Sequence, residues 1–543
     1  MIEIFAQLYD KIEVISDVEA VVTSPDKTTF TLKPFPRCKL DFSYDEHGYE
    51  SVTSGNEYSV VRFFPSQKGE YVLRFLQRQP VRVLVSEGKN HGVVRVCAKD
   101  KRYFEYEGGT PFFVVGLNTA FIAPVAVTNG SEFGVSKEKK YLGLKQFGRW
   151  FRKASENGVN VVRLWLGHDY LCPDMEKAGA TDLEKLEKIE AIIELAKSYG
   201  LKVKLTIEQF RFFDYEREPD DSYAGDVFGK FNKRLYSDGK RCESMPEWLT
   251  GDKWRKNWLK KVEILARRFS GDPSIFMIEL WNEMNCTSPG YVEWNEEILP
   301  EVKNLFPRNL VSNSLGSYDC KQARSEYAAF PWDKCDVVQM HRYLDQGAEA
   351  AECRSSLIDL LKSGTEEVAR RDKPFIVAET GAVNDCHSGA FRYYPADDEG
   401  IVFCDAVYVP PMCGASGTGF IWHWDDRYVE SKNLYRLFRP IATVFKNVDF
   451  GEEKFEPWCI ETEDAILLLL SGKTVTLAYV RNKDYSWQTV LRNGAIPKPV
   501  SVEFDVRAAS PELVRIINGE TATVSGGERL KIKNLVFGAL LKW

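Results

Sequence analysis

Phe276-Met277-Ile278-Glu279-Leu280-Trp281-Asn282-Glu283 is an apolar run of strand character that stops at a carboxylate. A second run, Pro374-Phe375-Ile376-Val377-Ala378-Glu379-Thr380-Gly381, stops the same way. A buried strand has no packing use for a glutamate at its tip, whereas in a parallel α/β barrel that tip opens on the mouth where active sites sit. Two carboxylates facing one cavity suit cleavage of a glycosidic bond. One protonates the leaving oxygen and the other attacks or activates water.

Around these runs, strands alternate with helices from 100 to 450. Further strands are expected at Phe112–Leu117, Asn160–Leu166, Lys202–Ile207, Leu310–Ser314, Val337–His341 and Gly419–Trp424, with Ile275–Trp281 fourth and Pro374–Ala378 seventh. Leu186, Ile189, Ile193 and Ala196 form one stripe of a helix over 183–199, with Asp182 as N-cap and Gly200 as its stop. Trp254, Trp258, Val262, Leu265 and Phe269 line a second helix. Eight strands interleaved with helices predict an α/β fold, a (β/α)8 TIM barrel. The competing doubly wound sheet is disfavoured, since no Gly-rich phosphate turn follows an early strand.

The flanks read differently. Residues 1–99 carry short alternating runs at Val18–Val22, Thr28–Leu32, Tyr58–Phe64 and Tyr71–Phe75, which predict a small antiparallel β-sandwich. Tyr103–Thr110 reads as a hairpin leading into the barrel. From 451 to 543 the strand pattern returns without helices, at Ala465–Leu470, Val475–Val480, Val500–Phe504, Leu513–Ile517 and Leu530–Ile532, and predicts a second β-sandwich.

Composition narrows the partners. A net charge of −7 over 543 residues, with no Lys/Arg block, argues against nucleic acid or an anionic membrane. No apolar stretch approaches the roughly 18 residues that suggest a membrane span. The first residues lack a basic segment followed by an apolar one, so no signal peptide is expected. The 12 cysteines show no metal-ligand spacing, and reduced thiols in a cytoplasmic protein are the simpler reading. A Cys320–Cys335 disulfide stays open.

With eight strands in order, Glu283 ends the fourth and Glu379 the seventh, across one barrel mouth. Mutual repulsion and burial would keep one protonated while the other needs a cation or donors. Arg163, in the second strand, supplies the charge, and Tyr343 a phenolic donor.

Trp281-Asn282-Glu283 together with Glu379 resembles the clan A glycoside hydrolases, most closely the family 5-like members (cellulases, mannanases and β-mannosidases). The resemblance implies Glu283 as acid/base, Asn282 as ligand of the sugar 2-hydroxyl and Glu379 as nucleophile. It also matches Arg163 near the end of strand two, the His-x-Tyr pair as His341-Arg342-Tyr343, and a pocket-floor aromatic as Trp422. Trp424 is the alternative floor. The likeness covers the middle 350 residues or so, and the flanking sandwiches resemble those of some family 5-like bacterial proteins. One departure is Thr206-Ile207-Glu208-Gln209-Phe210, where many members carry a His near the end of strand three.

These readings imply double displacement on an oligosaccharide or glycoside, with retention of configuration and no cofactor or metal. His168, His341 and His423 fall near strand ends and form the metal-binding alternative. Glu208 and Asp425 either contact sugar hydroxyls or serve loop hydrogen bonds. The aromatic-rich insertion 210–246 either walls off the cleft or forms a mini-core under the loop. A β-mannoside or β-glucoside is favoured from the resemblance alone. The insertion and the expected location favour exo action on short oligosaccharides, against an endo-acting glycanase. A sugar-binding pseudoenzyme and a metal-dependent lyase or isomerase are the rival classes.

Overall fold

The computed structural model describes residues 2–122, 140–167, 170–174, 181–209, 236–237, 240–242, 244–385, 389–517 and 519–543. At its centre is the expected barrel. Gly116–Asn118, Val161–Trp165, Lys202–Gln209, Ile275–Asn282 and Leu310–Ser312 pair in that order, all parallel. Val338–Leu344 pairs in parallel with Phe375–Ala382. Between the fifth and sixth strands the Ser312 hydroxyl donates to the Val337 carbonyl at 2.6 Å, and the Gln339 amide to the Asn313 carbonyl at 2.9 Å.

The eighth position departs from expectation. Residues 417–421 form isolated bridges, Val114 to Gly417, Leu117 to Ile421 and Thr380 to Ile421, instead of a ladder. Phe420 N donates to Val377 O at 3.0 Å, while Gly419 N turns to Val407 O of the preceding helix, Ile401–Met412, at 3.3 Å. A Cβ at Gly419 would stand 2.1 Å from the Ala406 carbonyl, so glycine permits this close approach at the expense of regular pairing. The first strand is also shifted. Pro111–Phe112 joins Phe104–Tyr106 and Val94–Val96 in a separate sheet, whose Val94, Phe104 and Phe112 plug the barrel floor against Phe276, Met277 and Phe420.

The helices follow their stripes. Leu183–Ser198 is capped by Asp182, which accepts from Lys185 N, and Gly200 ends it at φ 73°. Asp252–Phe269 buries Trp254, Trp258, Val262, Leu265 and Phe269. Burial of such side chains stabilises by roughly 1.5–3 kcal/mol each. Ile401–Met412 is buried along its whole length, between the barrel and the C-terminal sheet.

Residues 2–86 form a five-stranded and a three-stranded sheet around Ala20, Val22, Val61, Leu73 and Val83. The expectation of a wholly antiparallel arrangement fails at one edge, where Ile2–Gln7 runs parallel to Val81–Ser86. Side-chain alternation encodes which face is buried and is silent on strand direction. This unit docks through buried charge. Arg62 Nη2 meets Glu190 at 2.5 Å, Arg268 meets Glu187 and Glu190 at 2.9 and 3.0 Å, and Arg37 meets Glu187 at 2.9 Å.

At the other end, Glu456–Glu461, Ala465–Ser471, Thr476–Asn482, Gly538–Lys542 and Glu512–Arg515 form one antiparallel sheet. Val500–Phe504, Leu530–Leu535 and Thr523–Ser525 form a second. The helix-free expectation fails at Gln488–Arg492, beside Trp487, whose ring donates to Ser355 O at 2.9 Å and so ties the segment to the barrel. Asp405 joins the two parts as well, accepting from Arg481 at 2.9 and 3.1 Å and from Tyr479 at 2.8 Å. Cys320 and Cys335 are both free thiols.

Candidate active site

Charged side chains inside the barrel set up the site. Arg163, Lys204, Thr206 and Glu279 lie on three adjacent strands and are wholly buried. Arg163 Nε donates to Glu279 at 2.9 Å, Lys204 pairs with Glu279 at 3.1 Å, and Thr206 donates to the same carboxylate. One level higher the alternation breaks on both strands. Glu208 turns outward to Lys261 and Trp258, and Trp281 packs on Trp248 and Trp294 of the surrounding helices. Gln209 and Asn282, paired in register, therefore face the barrel mouth.

Arg163 spans the site. Its Nη2 donates to Asn282 Oδ1 at 2.6 Å and its Nη1 to Glu379 Oε1. Tyr343 donates to the other oxygen, Glu379 Oε2, at 2.7 Å. Burial pushes the Glu379 carboxyl above the ordinary carboxylate range, and Arg163 and Tyr343 pull against it. Burial likewise holds the Lys204 ammonium down to about 7, assisted by Arg163 and opposed by Glu279. The Glu279 carboxylate stays ionised: burial opposes this, but Arg163 and Lys204 outweigh it.

Glu283 faces Glu379. Its backbone is left-handed, at φ 52° and ψ 51°, a conformation that costs a residue with a Cβ on the order of 1–3 kcal/mol. Ser314 Oγ accepts from its N–H at 3.2 Å. His341 Nδ1 lies 2.8 Å from Glu283 Oε1 and 3.5 Å from Glu379 Oε2. Burial and the nearby Arg163 keep the imidazole neutral, and its Nδ1 shares a hydrogen bond with Glu283. Glu283, Glu379 and His341 each bring one donor atom within 4.8 Å of the others. That spacing lies on the short side that a nucleophile and an acid/base need, well below the roughly 6.5–9.5 Å that leaves room for a water.

Trp422 is half-buried and tilts on Trp165 at 5.2 Å, whereas Trp424 is fully buried against Phe121 and Trp150. Trp422 is therefore the one of the pair able to meet a ligand. Glu208 serves the buried Lys261 pair, and Asp425 pairs with Arg427 at 2.6 Å. His423 packs edge-on to Tyr394 and takes no part in the three-donor cluster. His168 lies outside the described residues, as does most of the 210–246 insertion.

Sequence reasoning thus named Arg163, Asn282, Glu283, His341, Tyr343 and Glu379, and these come together. It missed Glu279, Lys204, Thr206, Gln209 and Trp165. The available signal was a charged residue inside each of two apolar strands, Val203-Lys204-Leu205 and Ile278-Glu279-Leu280. Such charges are tolerated only when they meet.

The family model described as Cellulase (glycosyl hydrolase family 5) matches residues 127–400. Mannan endo-1,4-beta-mannosidase F of Aspergillus clavatus is 23% identical over 216 residues, covering 38% of this chain and 44% of that protein. Mannan endo-1,4-beta-mannosidase A of Emericella nidulans is 23% identical over 254 residues, 40% of this chain and 62% of that protein. The chain thus spans less than two thirds of the length of either relative. A solved structure of a candidate glycoside hydrolase from Bacteroides vulgatus shares the fold, with a TM-score of 0.55 at 12% identity over 99% of both chains.

Proposed function

The chain belongs to glycosyl hydrolase family 5, and from that premise we propose that it hydrolyses β-mannosides with retention of configuration. The observation that carries this reading is the meeting of Glu283 and Glu379 within 4.8 Å, with Arg163 and Tyr343 bound to opposite oxygens of Glu379.

In the first step Glu379 attacks the anomeric carbon while Glu283 protonates the departing oxygen, which gives a glycosyl ester on Glu379. Arg163 and Tyr343 orient the attacking carboxylate and favour its ionised form. Once Glu379 is esterified and carries no charge, Glu283 deprotonates the incoming water. His341 holds Glu283, Asn282 meets the sugar 2-hydroxyl, and Trp422 carries the apolar face of the ring.

The mannan endo-1,4-beta-mannosidase names of the relatives support a β-mannan substrate cut internally. The exo alternative leans on the 210–246 insertion, so viscosity loss of a soluble mannan against release of mannose separates the two. We read 1–99 and 451–543 as β-sandwich domains flanking a 100–450 barrel, supported by a pair of sheets on each side. The three-donor cluster also favours a second reading, a metal-assisted reaction, which predicts activity lost to a chelator and restored by a divalent ion. Proton NMR of the first product from an aryl β-mannoside tests the main proposal: β-mannose appears first, and α-mannose appearing first would refute it.

A further inference from the structure

Gln209 ends the third barrel strand with no exposed surface, and among the described residues neither Oε1 nor Nε2 has a hydrogen-bond partner. A buried amide with both ends unmet is a poor structural choice, since burial without a partner is unfavourable and an apolar residue of similar size would fill the space. Its register partner, Asn282, repeats the pattern: Oδ1 is engaged by Arg163, and Nδ2 has no partner among the described residues. Three unmet polar atoms thus sit side by side on two parallel strands, at the mouth that holds Glu283 and Glu379.

Adjacent strands lie roughly 4.8 Å apart, and the glutamine side chain is longer than asparagine by one methylene. Two amides so placed match neighbouring hydroxyls on one sugar ring. A hydroxyl both donates and accepts, and the glutamine amide offers both complements. Asn282 is matched to the 2-hydroxyl. The next hydroxyl along the ring, away from the reacting carbon, is on C3.

We infer that Gln209 is a substrate-binding residue that reads the 3-hydroxyl of the sugar whose bond is cut, an inference that rests on the glycosidase reading above. It narrows the substrate class to sugars whose C3 hydroxyl projects as in mannose and glucose, and it rejects 3-deoxy and 3-epimeric glycosides. Because the amide does not titrate, this recognition is independent of pH, in contrast to contacts with carboxylates.

The test compares wild type with Gln209→Leu on an aryl β-mannoside and on its 2-deoxy and 3-deoxy counterparts. In wild type the missing 3-hydroxyl lowers kcat/KM by about 10²–10⁴-fold, because the buried amide is left unmet. In the variant the parent substrate loses most of that advantage. The 3-deoxy penalty shrinks to under about tenfold, and the 2-deoxy penalty stays as in wild type. Should the leucine variant fail to fold, Gln209→Asn withdraws the amide by one methylene and gives the same readout. Equal 3-deoxy penalties in wild type and variant overturn this inference alone. A wild type inactive on every aryl β-glycoside overturns the glycosidase reading and this inference with it.

Discussion

Tyr343 donates its phenolic proton to Oε2 of Glu379 at 2.7 Å, on the side of the carboxylate that Arg163 leaves free. The two contacts divide the work of keeping a buried carboxyl reactive. Arg163 supplies charge and is shared with Glu279 and Asn282, whereas Tyr343 supplies a hydroxyl donor to Glu379.

Tyr343→Phe therefore acts first through pH. A hydrogen bond to the charged form favours that form, so its loss lets burial raise the Glu379 pKa further. The ionised fraction then falls at any given acidic pH, and the acidic limb of kcat/KM moves to higher pH. At the optimum kcat drops by about 10–100-fold, the worth of one hydrogen bond to a charged group. A pH–rate profile checks both, and an unmoved acidic limb contradicts the assignment.

Glu283→Asn is expected to abolish turnover and yet raise the melting temperature. Asn tolerates the left-handed backbone better than Glu, and the substitution removes a carboxylate facing Glu379. The gain is about 1 kcal/mol or more in chemical denaturation. A variant less stable than wild type would show that the φ of 52° is not a source of strain.

Glu279→Gln leaves Arg163 and Lys204 without their shared carboxylate, and breaking a buried charge network of this kind costs about 3–5 kcal/mol. Arg163 then loses its anchor, so kcat falls while KM changes little. The double variant Glu279→Gln with Lys204→Met recovers part of the stability, because no unpaired ammonium remains buried. Denaturant midpoints of the two variants provide the comparison.

Acid should loosen the junction between the N-terminal sheets and the barrel. Glu190 is opposed by burial, but Arg62, Arg37, Lys11 and Arg268 outweigh it and hold its pKa down to about 2. A depressed carboxylate contributes stability that is fully present above its unfolded value and is lost as pH falls toward 2. The contribution is about 3 kcal/mol. Glu190→Gln should flatten this acid dependence in pH-dependent denaturation; an unchanged slope would contradict the network's role.

Much of this is legible in the sequence itself. Strands two, three, four, six and seven announce themselves because apolar runs end on polar residues, and Glu283, Glu379, Arg163 and Tyr343 are such residues. The eighth strand, expected at Gly419–Trp424, does not form a regular ladder, because the helix 401–412 presses on Gly419 and diverts its N–H to Val407. Glu279 and Lys204 were passed over because single charges in apolar strands reveal nothing until their partners, 75 residues or so apart in the chain, are seen to meet. The separation of Trp422 from Trp424 was similarly invisible. Strict alternation would give both one face, but His423 adopts φ 57° between them and sends Trp424 into the core.

The most direct test is to trap the covalent species. A 2-deoxy-2-fluoro β-mannosyl fluoride slows both steps and, by double displacement, should leave a sugar ester on one residue. Peptide mass spectrometry is expected to find that mass on the peptide containing Glu379, with inactivation at one label per chain. A label on Glu283 would reverse the roles, and time-dependent turnover with no adduct would contradict a nucleophilic carboxylate altogether.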